Sequence, residues 1–138
     1  MDLFEALDDD QLGTIVALGD ARRAGTGQAI FRQGDPGEAF YVVIQGSIRI
    51  VLHLPDGADK ELATLGPRTF FGEMGPIGGK PRGADAIAAA PTLLFELSKE
   101  AFLRVLDEEP VIKMRLHAIM ARRRSENLSV SVTGKSDG

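Results

Sequence analysis

Residues 40–54, FYVVIQGSIRIVLHL, indicate the fold of this chain because they contain two runs of strand-forming residues. The runs Phe40–Ile44 and Ile48–Leu54 are rich in β-branched and aromatic side chains, which favour β-strands. A turn sequence, Pro55-Asp56-Gly57, follows at once, in which proline fixes one φ angle and glycine accepts a positive one. The stretch therefore predicts two strands, the second ending in a tight hairpin turn.

Short apolar runs separated by glycine, proline and aspartate continue on both sides of this stretch, from Gly25 to Leu97. They predict further strands at Lys60–Leu65, Ala84–Ala90 and Thr92–Leu97. Many short strands at regular turn spacing are typical of an antiparallel barrel or jelly roll. The predicted fold class is therefore mainly β.

Apolar residues at helical spacing precede this β region, and Asp8-Asp9-Asp10 lies between two such patterns. Aspartate is a preferred helix N-cap, so two short N-terminal helices are predicted. The apolar positions are Leu3, Phe4 and Leu7 in the first pattern and Leu12, Ile15, Val16 and Leu18 in the second.

Two more helices are predicted after the last strand. Ser98 is a suitable N-cap for the first, and Pro110 suits the first turn of the second, longer helix. The longer helix carries an apolar stripe of Ile112, Leu116 and Ile119. The stripe is suited to packing against the strands and equally to pairing with the same helix of a second copy.

The 138 residues suffice for one domain, predicted over 1–128, with a polar and disordered tail over 129–138. There is no cysteine, and His53 and His117 lack metal-ligand spacing, so no metal is expected. No apolar run approaches the roughly 20 residues of a membrane span, and a cytoplasmic location is expected. The net charge of −4 argues against broad nucleic-acid binding as the main role.

One loop combines groups that suit a ribose phosphate. Gly72-Glu73-Met74-Gly75 is predicted to end a strand and begin a short helix, whose first N–H groups can bind an anion. Glu73 can accept hydrogen bonds from a pair of hydroxyl groups. Arg82, nine residues after Glu73, offers a planar cation that fits phosphate oxygens.

These residues resemble those of a known family, the cyclic nucleotide-binding domains. Phe71-Gly72-Glu73-Met74 and Pro81–Ala84 are similar to the two ends of its phosphate-binding cassette, and Phe31–Ser47 is similar to its hairpin signature. Met114–Arg123 resembles the C-terminal helix of the catabolite activator branch. The resemblance covers roughly residues 10–128 and implies an antiparallel β-roll with short N-terminal helices and a long C-terminal helix.

The resemblance also implies a function: a regulatory domain, not an enzyme, that binds cAMP or cGMP and repositions its C-terminal helix. Arg82 is expected to contact the phosphate and Glu73 the ribose 2′-OH. Gly83 lacks the hydroxyl that guanine-preferring members often carry after the cassette arginine, which favours cAMP. The expected ligand-binding residues are Gly72, Glu73, Met74, Gly75, Arg82, Gly83, Ala84, Ile50, Leu62 and Asn127. On this interpretation, Arg82→Ala leaves the fold intact and weakens binding by about 1.5–3 kcal/mol.

Two departures from the family pattern support a different interpretation. Pro76 removes a backbone N–H close to the predicted anion site. Asp85 places a carboxylate near that site or, on the other face of a strand, in water. The alternative is a β-roll that has lost its ligand and serves as a protein-interaction or dimerisation scaffold.

The expected partners are the cyclic nucleotide, an unknown effector protein and, through the C-terminal helix, a second copy of the chain. No membrane partner is expected. Direct nucleic-acid contact is not expected either, because nothing after Leu128 can build a recognition helix. The Met1 start and polar tail favour a complete chain over a sensor excised from a larger channel, kinase or transcription factor.

Overall fold

The computed structural model describes residues 8–72, 79 and 81–125, with side chains through residue 122. Within these residues, antiparallel strands form two four-stranded sheets, and helices lie before and after them. The helices are α1 (Asp9–Leu18), α2 (Lys99–Glu108) and α3 (Pro110–Ser125). The strands are β1 (Asp20–Ala24), β2 (Ala29–Phe31), β3 (Ala39–Gln45), β4 (Ile48–His53), β5 (Asp59–Leu65), β6 (Phe70–Phe71), β7 (Asp85–Ala88) and β8 (Thr92–Ser98).

The strand order is β1-β8-β3-β6 in one sheet and β2-β7-β4-β5 in the other, and every pairing is antiparallel. A hydrophobic cluster between the sheets takes residues from both, including Tyr41 and Leu94 of the first and Ile50 and Ala86 of the second. This arrangement confirms the predicted fold class, a mainly antiparallel β-roll with flanking helices.

The β4–β5 hairpin has the predicted turn. Leu54 donates its N–H to the carbonyl of Ala58 at 2.8 Å, and the Asp56 side chain accepts from the N–H of Ala58 at 2.9 Å. Gly57 has φ +90°, which explains why a glycine stands at this position. The turn sets the register of β4 on β5 from His53 opposite Asp59 to Val51 opposite Glu61, and a β-bulge between Val51 and Ile50 then shifts it by one residue.

Helix caps follow the sequence predictions. The Asp8 side chain accepts from the N–H of Gln11 at 2.8 Å, and the Gln11 side chain accepts from the N–H of Asp8, which forms a capping box at α1. Ser98 caps α2 by accepting from the N–H of Ala101. The helix predicted before Asp8 lies outside the described residues, and no described helix has the length and apolar character needed to cross a bilayer.

The apolar stripe of α3 is buried in the core of its own chain. Leu116 is fully buried, and Ile112 and Ile119 join the same cluster. That cluster lies on the outer face of the first sheet, where it includes Phe40 of β3 and Phe102 of α2. Packing against the β-roll is therefore the correct interpretation of the stripe, and pairing of these three residues with a second copy is wrong.

Candidate functional site

The two ends of the predicted anion loop meet at Arg82. Its guanidinium donates from Nη1 to the carbonyl of Gly72 at 2.8 Å and from Nη2 to the carbonyl of Ala39 at 2.6 Å. Arg82 is only 6% exposed, although most arginines lie at the surface. Gly72 directly follows β6, so the end of this strand and the segment before β7 are joined by a buried cation.

Aromatic rings hold this cation from a second side. The guanidinium carbon of Arg82 lies 4.1 Å from the ring centroid of Phe31 and 5.9 Å from that of Tyr41. Tyr41 stacks on Phe71 with a centroid distance of 5.0 Å. Cation–π contacts of this kind are favourable and become stronger when water is excluded. Burial, reinforced by the nearby Glu96 carboxylate, raises the pKa of the Tyr41 phenol above its ordinary value of 10.0.

Gly72 is required by its surroundings as well as by its backbone. Its φ angle is +82°, in the region that favours glycine. A Cβ atom added there would lie 3.0 Å from Nη1 of Arg82 and 3.3 Å from the carbonyl oxygen of Ala39. Any side chain at this position would therefore press on the guanidinium that closes the loop.

The backbone of Arg82 is fixed by the segment that follows β2. Gly34 donates its N–H to the carbonyl of Arg82 at 2.7 Å, and Arg82 donates its N–H to the carbonyl of Asp35 at 2.8 Å. The Asp35 carboxylate in turn accepts from the N–H of Arg32 at 3.0 Å. Residues 32–35 therefore fix the position of the Arg82 backbone, from which its side chain extends.

Asp85 takes neither of the two orientations considered from the sequence. It is 2% exposed, so the solvent-facing orientation is wrong. Its Oδ1 accepts from the N–H of Gln33 at 2.7 Å, and its Oδ2 lies 2.7 Å from Nε2 of His53 and 3.7 Å from Nη1 of Arg32. The carboxylate is thus directed at its own donors rather than at the guanidinium of Arg82.

Other expected ligand-binding residues lie on the inner side of the roll. Ile50 and Ala84 are buried in the cluster between the sheets, and Leu62 is half-buried against it. Gly83 is half-buried beside Arg82. Glu73, Met74, Gly75 and Asn127, together with Pro76, lie outside the described residues.

A cleft of about 380 Å³ opens beside Arg82, on the side of Tyr41 and Glu96. Three carboxylates, those of Asp35, Glu38 and Glu96, are among the residues that line it. Like charges disfavour a phosphate there. This cleft is therefore poorly suited to a phosphate.

Sequence reasoning missed Phe31, Tyr41 and His53 as supports of the site. Phe31 and Tyr41 are part of the 31–47 stretch that carries the family resemblance, so this stretch was a usable signal. For the contact of His53 with Asp85, 32 positions apart, no sequence signal was available.

The fold is an antiparallel β-roll in which a buried arginine bonds to the end of strand β6, and comparison with known proteins gives its family. Residues 8–109 match the family described as "Cyclic nucleotide-binding domain". This match spans well over half of the chain, which therefore belongs to the cyclic nucleotide-binding domain family.

Individual relatives agree with this assignment. The chain is 34% identical over 124 residues to the cyclic AMP receptor protein of Thermus thermophilus, covering 90% of this chain and 57% of that protein. It is 34% identical over 104 residues to a cAMP-dependent protein kinase regulatory subunit of Eremothecium gossypii, covering 75% and 22%.

A solved structure agrees as well. The Thermus thermophilus catabolite activator protein superposes with a TM-score of 0.84 at 33% identity, covering 93% of this chain and 61% of that one. The chain thus spans less than two thirds of the length of each of these relatives.

Proposed function

We propose that this chain binds a cyclic nucleotide, cAMP in preference to cGMP, and couples the bound ligand to the position of α3. The observation that carries the proposal is the buried guanidinium of Arg82, held 2.8 Å from the carbonyl of Gly72 at the start of the anion loop. A buried cation at the mouth of a glycine-rich loop gives a singly charged phosphodiester a charge-assisted partner.

In this proposal each end of the ligand has its own residues. The cyclic phosphate binds Arg82 and the loop that begins at Gly72, and Glu73 accepts a hydrogen bond from the ribose. The purine packs beside Ile50 and Leu62, which lie in or against the inner cluster of the roll. Gly83 places no hydroxyl next to Arg82, which favours adenine over guanine.

Strand β6 offers a direct route from the ligand to the helices. Its two residues face opposite ways, as successive strand residues do. Phe71 packs in the inner cluster and stacks on Tyr41, whereas Phe70 packs in the outer cluster with Leu116 of α3. A shift of the loop at Gly72 therefore acts on both clusters. Coupling of this type is typically worth about 1–3 kcal/mol.

The proposed macromolecular partner is a second copy of the chain, through a face of α3 other than the buried stripe. Val111, Met114, Ala118 and Ala121 are all exposed, and Met114 is 67% exposed. Their spacing of three, four and three residues is that of a coiled-coil seam.

Met114→Lys is expected to shift the chain from dimer to monomer in sedimentation equilibrium, because it places a charge in the centre of the seam. Lys113→Glu is the matched control, since this residue is exposed on the same helix but off the seam. A wild-type chain that is monomeric at every concentration would contradict the dimer.

A thermal-shift series with cAMP, cGMP and 5′-AMP tests the proposed function. A ligand that binds only the folded state raises its stability by about 2.7 kcal/mol at a hundredfold excess over Kd. We expect a large shift with cAMP, a smaller one with cGMP and none with 5′-AMP, which lacks the cyclic diester. No shift with either cyclic nucleotide would contradict the proposal and favour the scaffold alternative.

A further inference from the structure

His53, the last residue of β4, lies between two carboxylates. Its Nδ1 is 2.6 Å from Oδ1 of Asp59, and its Nε2 is 2.7 Å from Oδ2 of Asp85. A neutral imidazole carries one N–H and can donate to only one of the two. When both carboxylates are ionised, this geometry is therefore satisfied only by the protonated, doubly donating ring.

The same histidine is linked to the segment that fixes Arg82. The backbone N–H of His53 donates to the side-chain oxygen of Gln33 at 2.9 Å, and the backbone N–H of Gln33 donates to the Asp85 carboxylate at 2.7 Å. The next two residues, Gly34 and Asp35, hold the carbonyl and the N–H of Arg82. His53, Asp85 and the 32–35 segment therefore form one hydrogen-bonded unit, named here the His53 clamp, that ends at Arg82.

We propose that His53 is a positioning residue for Arg82, and that its protonated ring closes the His53 clamp so that affinity for the cyclic nucleotide falls as pH rises. The inference rests on the proposed function and concerns the regulation of the same site. Loss of one ring proton removes a donor from either Asp59 or Asp85. The lone pair that replaces the donor then faces a carboxylate oxygen.

The charged groups around His53 favour its protonated form, which agrees with a loss of affinity as pH rises. Asp59 faces the ring from β5 and Asp85 from β7. Hydrogen bonds to these two carboxylates, the larger effect coming from Asp59, raise the pKa of His53 above its ordinary value of 6.5. Arg32, 3.7 Å from Asp85, is a second cation in the unit and remains charged when His53 does not. Next to Asp59 on β5, Lys60 adds a third cation and Glu61 is paired with Arg49.

The sign of the effect follows from the raised pKa. The contribution of His53 to the folded state is fully present below about pH 6.5 and is lost as pH rises through the higher, folded value. Because Arg32 continues to compensate Asp85, the expected change is a weakening of the clamp rather than unfolding.

Two measurements made across the range from about pH 5.5 to about pH 8.5 test the inference. The first is the Kd of cAMP by calorimetry, which is expected to rise about three- to tenfold in the wild-type chain. The second needs no ligand: hydrogen exchange at the N–H groups of Gly34 and Arg82, corrected for intrinsic rates, is expected to lose protection over the same range.

Three variants distinguish the effect of His53 protonation from a general effect of pH on binding and hydrogen exchange. His53→Gln is expected to give a flat profile in both measurements. Asp59→Asn is expected to move the midpoint to lower pH, because it removes the carboxylate that contributes most to the raised pKa of His53. His117→Gln replaces the other histidine, exposed on α3, and is expected to behave like the wild-type chain.

Equal pH profiles for the wild-type chain and His53→Gln would overturn the inference. If no cyclic nucleotide binds at any pH, the proposed function fails, and hydrogen exchange then decides the positioning role alone. Protection that falls with pH only while His53 is present supports that role, and protection that is flat or independent of His53 overturns it.

Discussion

Arg82→Ala is expected to weaken cAMP binding by roughly tenfold to 150-fold, which corresponds to the loss of one charge-assisted hydrogen bond of about 1.5–3 kcal/mol. The guanidinium is the cation of the proposed site, and no part of an alanine side chain can replace it. Isothermal titration calorimetry of the variant and of the wild-type chain measures the difference directly.

The same substitution is also expected to lower the free energy of unfolding, in contrast to the expectation from the sequence that the fold stays intact. Arg82 bonds two carbonyls, those of Gly72 and Ala39, and packs on Phe31. Each lost bond to the charged group costs about 1.5–3 kcal/mol.

Arg104→Ala is the matched control for Arg82→Ala. Its side chain is exposed on α2 and pairs with Glu108. This variant is expected to change stability by about 0.5 kcal/mol or less and affinity not at all. An Arg82→Ala chain that binds cAMP as tightly as the wild type would remove Arg82 from the site.

Gly72→Ala is expected to destabilise the fold by about 1–3 kcal/mol and to reduce affinity for cAMP. The backbone contribution comes from φ +82°, which an alanine tolerates poorly. A second contribution comes from the new Cβ, which would lie 3.0 Å from Nη1 of Arg82 and would displace the guanidinium. Urea unfolding and calorimetry on the same preparation measure the two effects.

Gly27→Ala separates the two contributions. Gly27 has φ +85°, close to that of Gly72, but a Cβ atom there would have nothing within 4 Å. It is therefore expected to lose stability through the backbone alone and to keep its affinity. Equal losses of affinity in both variants would contradict the view that Gly72→Ala weakens binding through contact of its Cβ with Arg82.

The parts of the fold that the sequence predicted are those whose signals are local. The strands of the 40–54 stretch, the turn at Gly57 and the caps at Asp8 and Ser98 each depend on neighbouring residues, and the structure confirms them. Strand β1 shows the limit of such signals. Its sequence, Asp20-Ala21-Arg22-Arg23-Ala24, has no β-branched or aromatic residue, yet all five positions pair with β8.

The candidate site also combines features that the sequence predicts locally with contacts that form only in the folded protein. The sequence predicted Gly72 and Arg82 as contacts of one phosphate because both lie in one loop, and the structure places these two residues in contact with each other. The contacts that hold Arg82 from outside the loop come from β2, β3 and the segment after β2, and only the folded sheets bring them close. The direction of the Asp85 side chain belongs to this second group, since it depends on His53 in another strand.

The last helix shows the same limit of sequence patterns. The sequence showed one apolar stripe on the last helix and two uses for it, and a stripe alone does not say what covers it. The structure places Ile112, Leu116 and Ile119 in the core and leaves Val111 and Met114 exposed. Helical spacing therefore identified the helix, and the tertiary contacts decided which of its faces is buried and which is exposed.

A crystal structure of the chain with cAMP would show whether a strand-end loop and a buried arginine together hold a cyclic phosphate. We expect an exocyclic phosphate oxygen within hydrogen-bonding distance of Arg82, about 2.7–2.9 Å, with the ribose beside Glu73. A nucleotide bound elsewhere on the protein, with no phosphate oxygen near Arg82, would contradict it.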